Sequence, residues 1–209
     1  MPDSPAARLP PRSVKLVKAA RLWAAGLVPE RLRAQDPVPG GPAGPGSPAP
    51  KTVLDYIDER TIALDIDETD QEAVLRRLAV LMQSTGTVLD VEAVVAAALE
   101  REAVSTTGIG EGIAIPHAAS AGCGAPILGF ARSRAGVDWN SLDGAPAHLI
   151  FMIAVPDTLA ETEHLKVLAL LSRSLMTPSF RDCLTAAATP EAVLEALAAS
   201  TRPAPARPE

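Results

Sequence analysis

Three histidines, His117, His148 and His164, and two cysteines, Cys123 and Cys183, are the strongest nucleophiles and metal ligands in this 209-residue chain. His117 stands apart by position. It follows Pro116 at the end of an apolar run, and the small residues Ala118, Ala119 and Ser120 come after it. Small neighbours leave room for a bulky ligand. A neutral imidazole is a usable nucleophile near pH 7, because its ordinary pKa lies close to 6.5. The glycine-punctuated turn Gly108-Ile109-Gly110-Glu111-Gly112 lies just upstream, and its backbone N–H groups are expected to point into the same space and hold an anion there. Together these features point to a phosphorylatable histidine. A histidine that merely caps a strand end is the competing reading. His148, at the entry to a buried strand, reads as structural.

Other chemistries lack their apparatus. The glycine turn precedes a strand and no Gly-Lys-Ser/Thr follows, so it is no nucleotide-binding loop. The chain has no Gly-x-Ser-x-Gly elbow, no His-Glu-x-x-His and no cysteine pair at zinc spacing. The histidines and Cys123 never fall at i, i+3 or i+4, so neither a metal nor a cofactor is expected.

The elements that position these residues follow from periodicity. Thr69 or Asp70 can cap a helix running to about Gln83, with Ala73, Val74, Leu78 and Leu81 on one face. Asp90 can cap a second, from Val91 to about Glu102. The turn from Thr107 to Gly112 opens into a β-like run, Ile113 to Pro116. Ile127 to Ala131 and His148 to Val155 read as strands buried on both faces. Glu161 to Met176 reads as a long helix with a broad apolar face, ended by Pro178. Shorter helices are expected near Ser179 to Ala187 and Pro190 to Ala199. The expected fold is a single α/β domain over residues 52–200, a mixed β-sheet flanked by helices around one core.

Charge and proline divide the chain. Residues 1–50 carry a net charge of about +4 and hold eleven of the twenty prolines, whereas residues 51–209 carry about −10. Gln35 to Pro50 is ten-sixteenths proline and glycine, a composition that cannot join a core. Residues 1–51 are therefore expected to be a disordered basic tail. Within it, a short amphipathic helix near residues 14–28 competes with a plain leader or untranslated sequence upstream of a later start. Residues 201–209 are expected to fray. The acidic body and only six aromatics argue against nucleic acid. No apolar run reaches the roughly 20 residues of a membrane span, so no direct membrane insertion is expected. Two cysteines sixty residues apart suit a reducing, cytoplasmic setting.

The run from Thr106 to His117, TTGIGEGIAIPH, resembles the phosphorylation-site signature of enzyme IIA of the fructose/mannitol class in the bacterial phosphoenolpyruvate-dependent phosphotransferase system. Phe130-Ala131-Arg132-Ser133, Gly136-Val137-Asp138-Trp139, Ser141-Leu142-Asp143-Gly144, His148-Leu149-Ile150-Phe151, Glu163-His164-Leu165-Lys166 and Leu171-Ser172-Arg173 continue the likeness in the manner of fructose-type members. It covers roughly residues 52–200.

The resemblance implies roles. His117 would accept a phosphoryl group from the phosphohistidine of the carrier HPr and pass it to a cysteine of enzyme IIB. His164 matches a second active-site histidine that could donate a hydrogen bond to the phosphoryl oxygens; an ordinary helix-face residue is the alternative. Arg101 matches a family arginine that could balance phosphoryl charge; an exposed helix-end arginine is its alternative. Ile115, Ala118 and the helix carrying His164 would ring His117 in a shallow apolar depression. Many relatives carry glycine after the histidine where this chain has Ala118, which costs backbone freedom at positive φ. Neither HPr nor IIB fits within the chain, so both are expected on separate polypeptides. Fructose-type sugar uptake is the leading expectation. A nitrogen-branch relative acting by phosphorylation-dependent protein binding is the main rival, and a non-phosphorylated regulator domain a weaker one.

Overall fold

In the computed structural model, residues 51–160 and 163–200 are described. The expectations for a tail over residues 1–51, with its helix near 14–28, and for fraying over 201–209 fall outside them, Lys51 apart. Two aspartates start the first two helices. Asp70 accepts a hydrogen bond from the Ala73 N–H at 2.9 Å, opening α1 (Gln71–Ser84). Asp90 does the same for Ala93 at 3.0 Å, opening α2 (Val91–Val104). Each carboxylate satisfies a donor that the first turn leaves without a partner and sits at the positive end of its helix.

The strands are β1 (Ile57–Ala63), β2 (Gly108–Gly110), β3 (Ile113–Ala114), β4 (His117–Ala119), β5 (Ile127–Val137) and β6 (Ala147–Val155). They form one six-stranded mixed sheet in the order β1-β5-β6-β3-β2, with β4 also alongside β6. The pair β5–β6 is antiparallel, whereas β3 and β4 both run parallel to β6. Three more helices follow: α3 (Glu163–Leu175), α4 (Pro178–Ala186) and α5 (Pro190–Ser200).

Alternation along β6 assigns its residues to two cores. Ile150, Met152 and Ala154 face α1 and α2, meeting Leu78, Met82, Val94 and Ala98. Leu149, Phe151, Ile153 and Val155 face the other helices, meeting Val167, Leu171, Leu184 and Leu197. A strand apolar on both faces is what a sheet sandwiched between helix layers requires.

Two local expectations need correction, and one strand has no expectation to match. The apolar run is not one strand into His117: β3 stops at Ala114, and His117 opens the separate strand β4. The chain re-pairs beyond Pro116, whose carbonyl accepts from the Ile153 N–H at 2.9 Å. Strand β5 continues six residues past Ala131, because buried Arg132 and Ser133 find polar partners there. Finally, β1 is a full strand with no counterpart in the periodicity. Its Asp58-Glu59-Arg60 segment breaks the apolar pattern, and Asp58 is tied to Arg60 instead.

Candidate functional site

His117 pairs with Ile153 near the C-terminal end of β6, and both of its ring nitrogens have partners. Nδ1 lies 3.2 Å from the Ile115 carbonyl, and the Arg101 Nε–H donates to Nε2 at 2.9 Å. A carbonyl only accepts and a guanidinium only donates. The proton therefore sits on Nδ1, and the lone pair on Nε2. The ring is held well below its ordinary pKa, at about 4, chiefly by burial and next by the Arg101 charge. His117 is thus neutral at physiological pH.

Helix ends bring the other two candidates to it. Arg101 lies in the last turn of α2, where its Nη1 also donates to the Ser105 carbonyl at 3.1 Å. A cation there complements the helix dipole and satisfies an orphan carbonyl. His164 lies in the first turn of α3, its ring parallel to that of His117 within 8° and 5.6 Å away between centroids. The neighbouring Glu163 anchors this turn: it accepts from the Tyr56 hydroxyl at 3.2 Å and pairs with Lys166 at 2.6 Å. These contacts hold the Glu163 carboxyl below its usual range, Lys166 contributing most. The geometry therefore unites His117, Arg101 and His164.

Behind Arg101 lies a polar cluster to which sequence reasoning assigns no role. The Thr107 N–H donates to Glu102 Oε1 at 2.8 Å and its hydroxyl donates to Glu102 Oε2. The same hydroxyl accepts from Trp139 Nε1 at 3.1 Å, while Thr106 Oγ1 donates to the Trp139 carbonyl at 2.8 Å. The signal for it is Trp139 itself, since an indole N–H buried in a core demands an acceptor.

The glycine turn does not join the site. The Gly112 carbonyl accepts from the His148 and Leu149 N–H groups, four or more residues back along β6 from Ile153, which is roughly 13 Å of strand. Its donors serve the chain locally. Gly108 N–H goes to Thr106 Oγ1, and Glu111 N–H to Asp143. Glycine is needed at 108 because a Cβ there would lie 2.6 Å from Ser141 Oγ, and at 110 because φ is +92°. No anion nest faces His117 from this segment. His148 sits at the same far end, its Nδ1–H donating to the Ser133 carbonyl at 3.0 Å.

Ile115 and Ala118 do not form an open ring; both are buried, on opposite faces of the sheet. Ala118 lies within extended β4, and the described non-glycine residues at positive φ are Asp65, Glu111 and Asn140, so alanine costs nothing there. The apolar side chains exposed on elements around the site are Val104 at the end of α2, Leu159 after β6 and Leu165 beside His164. Among the described residues no cluster of His, Cys, Asp or Glu could hold a metal ion, and no helix is long and apolar enough to cross a membrane.

A six-stranded mixed sheet, helices on both faces and a neutral histidine held between two helix ends define the class as an α/β protein. Residues 55–200 match the model of a family described as phosphoenolpyruvate-dependent sugar phosphotransferase system, EIIA 2, and the chain belongs to that family. A fructose-specific EIIA component from Haloferax volcanii is 41% identical over 137 residues, covering 66% of this chain and 88% of the relative. A fructose-specific EIIABC component from Bacillus subtilis is 41% identical over 143 residues, 68% of this chain, but the match spans only 22% of that longer protein. Among solved structures, the nitrogen regulatory protein IIA-Ntr from Neisseria meningitidis has a TM-score of 0.63 at 30% identity, over 68% of this chain and 97% of that one. A complex of enzyme IIAMTL with phosphorylated enzyme IIBMTL from Escherichia coli contains a chain with a TM-score of 0.58 at 25% identity, covered over 95% by 67% of this one.

Proposed function

We propose that the chain is a cytoplasmic phosphoryl carrier for fructose-type sugar uptake, taking its phosphoryl group from phospho-HPr on Nε2 of His117 and yielding it to a cysteine of a separate enzyme IIB. The observation that carries this is the clasp on the ring: Nδ1–H is committed to Ile115, which leaves the Nε2 lone pair as the nucleophile. Nε2 attacks phosphorus, the donor's N–P bond breaks, and the donor imidazole keeps that electron pair. In the second half the IIB thiolate attacks, the Nε2–P bond breaks, and neutral His117 is regenerated. No general base is needed, because the attacking nitrogen is already unprotonated. Transfer then depends on alignment and on donors for the equatorial oxygens. Arg101 swings its N–H groups from the lone pair to those oxygens, and His164 donates from the parallel ring. The exposed Val104, Leu159 and Leu165 suit a brief apolar contact that excludes water from a bond of high transfer potential. The IIA–IIB complex named above supports the choice of acceptor.

Reconstitution with phosphoenolpyruvate, enzyme I and HPr tests the reading. Acid-labile label is expected on His117, and none in His117→Ala. HPr-dependent label retained by that variant would discard the site. The likeness to the meningococcal nitrogen regulatory protein favours a second reading, phosphorylation-dependent binding of other proteins. Offering IIB separates the two, since a purely regulatory protein would keep its label.

A further inference from the structure

Thr107 is buried and every polar group it owns is engaged. Its N–H and hydroxyl grip the two oxygens of Glu102, and its hydroxyl accepts from Trp139. Its carbonyl accepts from the Ile115 N–H at 3.0 Å. Two paths run from this residue to the imidazole. Through the Ile115 N–H it anchors the residue whose own carbonyl, one peptide further on, receives the Nδ1–H of His117. Through Glu102 it pins the last turn of α2, where the adjacent residue Arg101 reaches Nε2. Packing alone does not ask for this, because a valine would fill the same volume without drawing a carboxylate into a half-buried position.

We propose that Thr107 is a positioning residue that holds both hydrogen-bond partners of the His117 ring, the Ile115 carbonyl on the Nδ1 side and Arg101 on the Nε2 side, and so keeps Nε2 as the unprotonated nitrogen of the ring. The effect on phosphoryl transfer rests on the carrier reading above; the effect on the ring does not. The charged and titratable groups facing the ring are Arg101 and Glu102 from α2 and His164 from α3, so a loosened α2 end acts on His117 chiefly through Arg101.

Thr107→Val keeps the backbone bonds and the shape but removes the hydroxyl, stranding Glu102 Oε2 and the Trp139 N–H. Nitrogen NMR of His117 in the intact chain reads the result. The wild type is expected to show a single Nδ1–H tautomer and a titration midpoint far below 6.5. Thr107→Val is expected to show mixed tautomers, a midpoint moved upward, and acceptance from phospho-HPr slowed about tenfold or more. Thr107→Ser, which retains the hydroxyl, restores all three. A Thr107→Val protein with an unchanged tautomer and midpoint, differing only in melting temperature, overturns the proposal. Should that variant not fold, Glu102→Gln at its half-buried position answers the tautomer question: mixed tautomers support the proposal and a single unchanged one overturns it. A wild type that takes no label would remove the carrier reading while the NMR still decides the role of Thr107.

Discussion

An imidazole is an unusual place to find a guanidinium bond. Burial penalises the charged ring most, and Arg101 adds a positive charge against a ring that could itself become positive, so protonation is pushed down to about pH 4. Two outcomes follow, with opposite readouts. Acceptance from phospho-HPr should be flat from about pH 8 to 5.5 and fail only as the pH nears 4, where an unshifted histidine would already lose activity near 6.5. Stability should move too. Between about pH 6.5 and 4 the unfolded chain binds a proton that the folded chain refuses, so the stability held by neutral His117 is complete above that window and is lost as the pH falls through it. Denaturant titrations should therefore find a steeper loss over that window in the wild type than in His117→Ala; parallel curves would mean the ring is not held neutral. In the proposed transfer His164, already stacked on the ring, donates to the phosphoryl oxygens, so His164→Ala should slow single-turnover transfer without abolishing it, and an unchanged rate would reduce it to a helix-face residue.

The same logic of ends operates on elements, most clearly at Arg132. This arginine is buried, and its Nη1 donates to the carbonyls of Leu184, Thr185 and Ala187 at the end of α4, while Nε and Nη2 hold Asp65. One side chain thus closes a helix C-terminus and joins it to the sheet. Arg132→Met should lose about 3 kcal/mol, since three carbonyls and a carboxylate are left without their donor. Urea unfolding would read it as a lower midpoint at constant slope; a loss below about 1 kcal/mol would show that water replaces the guanidinium. Arg132 also marks where sequence reasoning stopped short. An arginine reads as the end of a buried strand, because what makes it tolerable inside is the carbonyl set of a helix fifty residues later. Asp58-Glu59-Arg60 hid β1 in the same way, by solving its charges locally. Elements whose signals are local, such as the Asp70 and Asp90 caps and the alternation in β6, were readable from the chain alone. The glycine turn was misplaced because sequence proximity to His117 says nothing about strand direction. Running β3 and β4 both parallel to β6 carries the turn to the far end of the sheet.

At the scale of the molecule, residues 51–209 carry a net charge of about −10, yet the elements that carry the site also expose the apolar Val104, Leu159 and Leu165, and the cation bonded to the ring is Arg101. The field acts on approach and is screened over a distance of about 10 Å at 0.1 M salt, whereas an apolar contact is indifferent to moderate salt. If the proposed donor is basic, added salt should weaken the encounter and leave chemistry within the encounter untouched. Raising ionic strength from about 0.01 to 1 M should lower the second-order rate of phosphoryl acceptance about tenfold or more, while the maximal rate at saturating phospho-HPr stays constant. Stopped-flow measurements over that range would separate the two. A second-order rate that ignores salt would mean the acidic body does not steer the donor, and that contacts such as those of the exposed Val104, Leu159 and Leu165 must account for recognition instead.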